Sequence, residues 1–266
     1  ITLPPGCYSD DTQLRLSISR AIDGKGHFDV EAFAKVELPI WTSYALGAGR
    51  GSKYAALNIS RRNATWNNNF FVSDDLNYVN MGGNGAAMRI QPHVWCFSSQ
   101  GDLRLLIRDI IRDSIVTHGH LRGILGAVFH GLSLLHALRH REVPSPDDWG
   151  RFLQELTTVP QIVKDDDQLS YVWLQLWENA SKSIFKDECD KVIEEIHLDI
   201  TKIRHFLIDK EISQYHDIVE SIDGFCAESK GSATKTAILA NTLAYLAGGD
   251  VEKAIVVSAN ELGSDT

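Results

Sequence analysis

The chain has 266 residues, of which 44% are hydrophobic and 23% are charged, and this composition is typical of one large globular domain or two small ones. A net charge of −9 argues against non-specific nucleic-acid binding, which needs a basic surface. The four cysteines form no CxxC pair, so we expect no disulfide framework or zinc cluster and predict a cytoplasmic protein. No uninterrupted apolar run is long enough to span a membrane, so no membrane association is expected.

Hydrophobic residues recur with helical spacing along most of the chain, whereas no segment alternates as a strand does. The Asn-rich segment 61–80 has no period and is predicted to be a loop over a ligand site. The sequence therefore predicts one all-α domain over residues 1–266, a compact orthogonal bundle. The predicted helices cover residues 12–22, 29–44, 52–57, 102–116, 121–140, 147–156, 166–185, 189–207, 213–226, 232–246 and 251–262.

Two adjacent carboxylates stand at the start of the first predicted helix, in the stretch Ser9-Asp10-Asp11-Thr12. Neighbouring acids repel, and a hard divalent cation would remove that repulsion. The four side chains offer only oxygen atoms, which suit magnesium or manganese better than zinc. The alternative is that Ser9 or Asp10 is an ordinary N-cap followed by an acidic first turn.

A glycine-rich stretch, Met81-Gly82-Gly83-Asn84-Gly85-Ala86-Ala87-Met88-Arg89, leads into a run of small residues. Glycines let the backbone approach a ligand closely, and a helix N-terminus directs N–H groups at an anion. The stretch could therefore hold a phosphate. Close helix packing through small residues is an equally good interpretation.

Two histidines flank Gly119 at the corner between two predicted helices, in Thr117-His118-Gly119-His120. Residues at i and i+2 do not share a helix face, so they are not a zinc pair of the HExxH type. His118 could line a pocket between helices or hydrogen-bond the backbone of the corner. The acidic run at 165–167 is interpreted as a helix cap rather than a metal site.

Taken together, these motifs resemble the ADP-ribosylglycohydrolase family, which includes dinitrogenase reductase-activating glycohydrolase. The resemblance rests on Ser9–Thr12, the Gly49-Arg50-Gly51 turn, the 82–89 loop with Pro92, Thr117-His118 and the terminal stretch 259–266, in the family's order. It implies an all-α hydrolase that contains two divalent ions, Mg2+ or Mn2+. The reaction that it implies is hydrolysis of the bond between the anomeric carbon of ribose and an amino-acid side chain.

The resemblance also implies roles for individual residues. The implied metal ligands are Ser9, Asp10, Asp11 and Asp265, and Asp10 and Asp11 are also the implied catalytic residues. The implied substrate-binding residues are Gly83, Asn84, Gly85, Ala86, Met88 and His118. The implied partner is an ADP-ribosylated protein or a small ADP-ribose conjugate.

Departures from the family pattern leave alternatives open. Ser9 stands where threonine is commoner, and both the upstream acidic helix and the rest of the closing motif after Thr266 are missing, so we expect a chain truncated at both ends. The alternatives are a hydrolase, an inactive relative that binds ADP-ribose and a structural protein, and three acids at one site favour the first over the last. The linkage that is cleaved (arginine, serine, O-acetyl or polymer) is not readable from the sequence.

Overall fold

A computed structural model describes residues 6–97, 99 and 101–261, and within these ranges the regular structure is entirely helical, with only isolated β-bridges. The prediction of an all-α fold is confirmed. The helices are α1 Asp10–Arg20, α2 Val30–Ala32, α3 Leu38–Trp41, α4 Arg50–Ile59, α5 Gln91–Phe97, α6 Leu103–Ile115, α7 Leu121–His140, α8 Pro146–Leu156, α9 Val159–Asp165, α10 Gln175–Ser181, α11 Phe185–Ile203, α12 Tyr215–Ser221, α13 Ala233–Ala247 and α14 Val251–Asn260.

Side-chain caps explain where several helices begin. Asp29 accepts a hydrogen bond from the Ala32 amide at 2.9 Å, and Asp102 accepts one from the Arg104 amide at 3.0 Å. The short aspartate side chains accept hydrogen bonds from amides that have no partner within the helix. Gly248 ends α13 in the left-handed conformation with φ of 61°, which glycine adopts without strain.

Two helices were not predicted from the sequence, and others begin or end elsewhere than predicted. The unpredicted helices are α5 and α9, each of which is only 7 residues long and contains a proline in its first turn. The predicted helix 166–185 instead begins with a wide π-helical turn, Leu169–Leu174, and ends at Ser181. A second π-helical turn, Phe33–Glu37, lies between α2 and α3, just before Pro39 removes a backbone donor.

Helix α7 is the centre of the bundle and packs against α5, α6, α8, α11 and α13. It is long and apolar enough to cross a membrane by length and composition, but 67% of its most apolar window is buried inside the protein. That burial is typical of the core helix of a folded domain. One buried apolar cluster includes side chains from α1 through α13, although the single domain over residues 1–266 stays a prediction.

Glycines on α7 permit unusually close approaches by its neighbours. A Cβ on Gly126 would lie 2.5 Å from the Ala233 carbonyl carbon at the start of α13, and a Cβ on Gly131 would lie 2.5 Å from Ile110 Cδ1 on α6. The first contact is with backbone, which cannot move aside as a flexible side chain can. Gly126 therefore determines how closely the N-terminus of α13 approaches α7.

We predict that Gly126→Ala destabilises the protein by about 1–3 kcal/mol, because the added methyl overpacks the α7–α13 crossing. Gly150→Ala in α8 is the matched control, since a Cβ there meets nothing within 4 Å. Removing the conformational freedom of glycine should stabilise that helix by roughly 0.5–1 kcal/mol. Urea unfolding of both variants measures the two changes, and an equal effect at both positions would contradict the close crossing.

Candidate functional site

The predicted acid pair lies at the start of α1, which begins at Asp10. Ser9 occupies the N-cap position but caps no backbone amide, and its Oγ donates instead to Asp11 Oδ2 at 2.9 Å. The Asp10 side chain is buried, and its amide donates to the Leu46 carbonyl at 2.9 Å. Ser9 is therefore not the ordinary cap of the alternative interpretation.

Gln13, one turn into α1, fixes the backbone of residues 44–46, where the Leu46 carbonyl accepts from the Asp10 amide. Its Oε1 accepts from Trp41 Nε1 at 3.0 Å and from the Leu46 amide at 3.2 Å, while its Nε2 donates to the Tyr8 and Tyr44 carbonyls. This buried amide is thus fully paired. Gln13 was not predicted to have a role, although a glutamine on the apolar side of α1 was the available signal.

The electrostatics of the acid pair favour a cation. Burial, followed by the negative charge of Asp11, raises the pKa of Asp10, although Lys53 and backbone hydrogen bonds oppose the shift. The oxygens of Ser9, Asp10 and Asp11 fit a hard divalent ion by donor type. Within the described ranges, no group of three or more His, Cys, Asp or Glu side chains is assembled to hold a metal. Asp265, the implied fourth ligand, lies outside the described residues.

The glycine loop, residues 82–86, is held against the start of α13. The Asn84 amide donates to the Gly231 carbonyl at 2.8 Å, and the Ala233 amide donates to the Gly82 carbonyl at 3.1 Å. Since Gly126 brings this end of α13 close to α7, the loop is positioned by the central helix crossing.

Gly85 lies where no side chain fits. A Cβ there would be 2.8 Å from Ser52 Oγ and 2.9 Å from His118 Cε1. The predicted substrate-binding residues of the loop and His118 are therefore brought together. Met88 is placed differently, because its side chain packs on the apolar core and its carbonyl accepts from Arg15 on α1 at 3.4 Å.

The N-terminus of α4 connects the acid pair with the glycine loop. Gly47, just before α4, has a φ of 84°, and a Cβ on it would lie 3.2 Å from Asp10 Oδ1. In the first turn of α4, Ser52 contacts the Gly85 position, and the positive charge of Lys53 acts on Asp10. A helix was predicted here, but its first turn was not predicted to be part of the site.

Arg89 is completely buried and connects the loop with the core. Its Nε donates to Asp113 Oδ1 at 2.8 Å, and its other nitrogens donate to the Asp113 carbonyl, to Thr117 Oγ1 at 3.0 Å and to the Gly85 carbonyl at 3.2 Å. Although burial acts to raise it, the charge of Arg89 and the contact with His93 hold the pKa of Asp113 below its usual value.

His118 is buried with 3% of its surface exposed, and its Nδ1 lies 2.7 Å from Thr117 Oγ1. Burial, and then the positive charge of Arg89, lowers the pKa of His118 to about 3, so the ring is neutral at physiological pH. The His118 ring thus forms its hydrogen bond with the Thr117 side chain, whereas one of the two interpretations expected a bond to the backbone of the corner. His120 caps α7 by accepting from the Arg122 amide at 3.1 Å.

One cavity opens beside the glycine loop, and a larger cleft adjoins that cavity. The cavity has a volume of about 310 Å3 and is lined by Gly82 and Gly83 together with His120, Arg122 and Lys230. The adjoining cleft of about 600 Å3 also includes Arg122 and extends along α11.

At the predicted cap, Asp166 Oδ1 accepts from the amides of Gln168 and Leu169, which supports the capping interpretation of 165–167.

The comparison with protein families agrees with this arrangement. The chain matches the family described as ADP-ribosylglycohydrolase over residues 1–266. A search of curated protein sequences found no match. The protein belongs to the ADP-ribosylglycohydrolase family, an all-α family of glycohydrolases whose substrates contain ADP-ribose. The family assignment indicates that it hydrolyses ADP-ribose linkages.

We predict that His118 contributes to acid sensitivity. The pKa of His118 is about 3 in the folded protein, whereas its ordinary value is 6.5. As the pH falls below 6.5, the unfolded chain therefore binds a proton at this residue before the folded protein does. The contribution is fully present above pH 6.5 and is lost as the pH falls towards 3. Between pH 7 and pH 5 the loss amounts to about 2 kcal/mol for one fully buried group.

Urea unfolding at both pH values measures this effect. His118→Gln should lose less unfolding free energy on acidification than the parent protein does. His197→Gln, at an exposed histidine of α11, is the matched control and should leave the difference between the two pH values unchanged. The same acid sensitivity in His118→Gln as in the parent would contradict the buried neutral ring.

Proposed function

We propose that the protein is a metal-dependent hydrolase that removes ADP-ribose from modified protein side chains or from small ADP-ribose conjugates. The observation that carries this proposal is the position of the first turn of α4, where Ser52 contacts the Gly85 position and the charge of Lys53 acts on Asp10. One helix end thus lies beside both the acid pair and the glycine loop. Such a juxtaposition suits a ligand that carries phosphates and has its reacting bond near negative charge.

The glycine loop is suited to binding the diphosphate and neighbouring ribose. Gly83 and Asn84 are partly exposed to an approaching ligand, whereas Gly85 and Ala86 are buried, and a side chain at Gly85 would collide with Ser52 and His118. His118 contributes a neutral ring at the same place. We retain Met88 as a predicted substrate-binding residue through its backbone, since its side chain packs on the core.

Ser9, Asp10 and Asp11 would hold a divalent ion, Mg2+ or Mn2+, and Asp265 stays the predicted ligand that completes a two-ion site. When bound, such ions orient a water and polarise ribose hydroxyls. Asp10 and Asp11 place negative charge beside the oxocarbenium-like centre that develops when a glycosidic bond breaks. Coordinated carboxylates are poor free bases, so we assign them charge and positioning rather than proton transfer.

The unpaired cysteines and the net charge support the proposed compartment and the proposed partner. All four cysteines are unpaired, which supports a reducing cytoplasm. The net charge of −9 supports a protein or small-molecule partner rather than non-specific binding to nucleic acid. The sequence motifs common to the family do not distinguish an N-glycosidic from an O-glycosidic linkage, and substrates with each linkage should be tested.

We predict that ADP-ribose raises the thermal unfolding midpoint of the protein and that Mg2+ or Mn2+ increases this effect. Stabilisation should grow with ligand excess and reach about 2.7 kcal/mol at 100 times the dissociation constant. Gly85→Ala should abolish the shift, because its Cβ would lie 2.8 Å from Ser52 Oγ. Gly24→Ala, where a Cβ meets nothing within 4 Å, should behave as the parent. No shift at millimolar ADP-ribose with metal present would overturn the proposed binding site.

We predict that Asp10→Asn abolishes release of ADP-ribose from modified protein while the fold is retained. The amide keeps the size of the side chain but removes the charge that a divalent ion requires. Asp102→Asn is the matched control, since asparagine caps a helix as well as aspartate does. Release of labelled ADP-ribose from arginine- and serine-modified substrates, with and without chelator, measures turnover. Full turnover by Asp10→Asn, or in the presence of chelator, would refute the metal-dependent mechanism.

A further inference from the structure

We propose that Arg89 and Thr117 fix the tautomer of His118, so that its Nε2–H is a permanent hydrogen-bond donor to an acceptor oxygen of the ligand in the glycine loop. Arg89 and Thr117 are positioning residues in this proposal, because they act through the imidazole. The identity of the ligand rests on the proposed function. The tautomer depends only on hydrogen bonds inside the protein and is testable without any ligand.

The direction of the hydrogen bonds follows from the donors and acceptors available. A guanidinium can only donate, so the Arg89 nitrogen 3.0 Å from Thr117 Oγ1 occupies a lone pair of the hydroxyl. Thr117 is completely buried, and within the part of the chain that the structure describes, its hydroxyl has His118 Nδ1 as its only acceptor, at 2.7 Å. The Thr117 hydroxyl therefore donates to Nδ1.

The opposite arrangement is disfavoured. If Nδ1 carried the proton and donated to Thr117, the hydroxyl hydrogen would be left without an acceptor among the described residues. A buried hydroxyl that cannot donate loses the hydrogen bond that water supplies in the unfolded chain. With Nδ1 acting as an acceptor and the ring neutral, the imidazole proton is on Nε2.

The Nε2 side of the ring faces the glycine loop. Nε2 lies 3.1 Å from the place where a Cβ on Gly85 would be and 4.0 Å from that on Gly83. No hydrogen bond joins Nε2 to any residue within the described ranges, although the ring is only 3% exposed. A donor that has no protein partner among the described residues, beside two glycine positions of the loop, is suited to a ligand that brings an acceptor.

The chemistry of that acceptor is limited by the fixed proton. A neutral Nε2–H donates to a phosphate oxygen, a ribose hydroxyl or a ring oxygen, and it cannot accept a proton from an attacking water. His118 therefore binds the ligand and is not a general base. Arg89 also holds the Gly85 carbonyl at 3.2 Å, so one guanidinium positions both the loop and the imidazole.

Thr117 is the residue to substitute, because truncating Arg89 would leave the buried Asp113 carboxylate without its guanidinium partner. Thr117→Val is nearly isosteric but lacks the hydroxyl, and Thr117→Ser keeps it. Histidine-selective 15N and 13C NMR of the 266-residue chain reports the tautomer, and His118→Gln identifies the resonances among those of the ten histidines. We expect the Nε2–H tautomer in the parent and in Thr117→Ser, and a mixture of tautomers in Thr117→Val.

Calorimetric titration with ADP-ribose gives a second measurement. Affinity should fall about tenfold in Thr117→Val and stay within about threefold of the parent in Thr117→Ser, as for the loss of one hydrogen bond. An Nδ1–H tautomer in the parent, or a pure Nε2–H tautomer in Thr117→Val, would overturn the proposal. The expected tautomers without any ADP-ribose binding would instead refute the proposed ligand while supporting the positioning role.

Discussion

The buried pair of Arg89 and Asp113 is the interaction on which the candidate site depends. Both side chains are fully buried, and a charge in that environment is tolerated only when it is paired and its hydrogen bonds are satisfied. Arg89 meets this requirement with the Asp113 carboxylate and backbone, Thr117 and Gly85. Removing one partner of such a pair typically costs about 3–5 kcal/mol. The bonds that pair this charge also position the glycine loop.

The contacts that pack the helices therefore also position the glycine loop of the site. Gly126 lets α13 approach α7 closely, and Gly231 just before α13 and Ala233 at its start then hold Asn84 and Gly82 through backbone hydrogen bonds. The loop is thus clamped by α13 on one side and by Arg89 from the core, while the first turn of α4 contacts it at Gly85. A loop fixed by three separate elements is already in place before a ligand arrives, which lowers the entropy cost of binding.

Local sequence signals were sufficient for much of this architecture. Asp29 and Asp102 cap helices that begin within one residue of the predicted starts at 29 and 102, and α7 has the predicted bounds because its apolar pattern is continuous. The 7-residue helices α5 and α9 were missed, since such short segments are stabilised by packing rather than by periodicity. The partnership of Arg89 and Asp113 spans 24 positions, and no local pattern predicts contacts at that distance.

Burial determines the electrostatics of both halves of the site, and it shifts the two pKa values in opposite directions. It is the largest cause of the raised pKa of Asp10 and of the lowered pKa of His118, so in each case it favours the uncharged form. A cation near Asp10 and Asp11 would reverse the first shift, because it stabilises the carboxylates that burial destabilises. At His118 an acceptor oxygen would satisfy Nε2 without any change of protonation. The two halves thus suit different groups, a cation at the acids and oxygen acceptors at the loop, and the ADP-ribose conjugate and divalent ion of the proposed function would supply both.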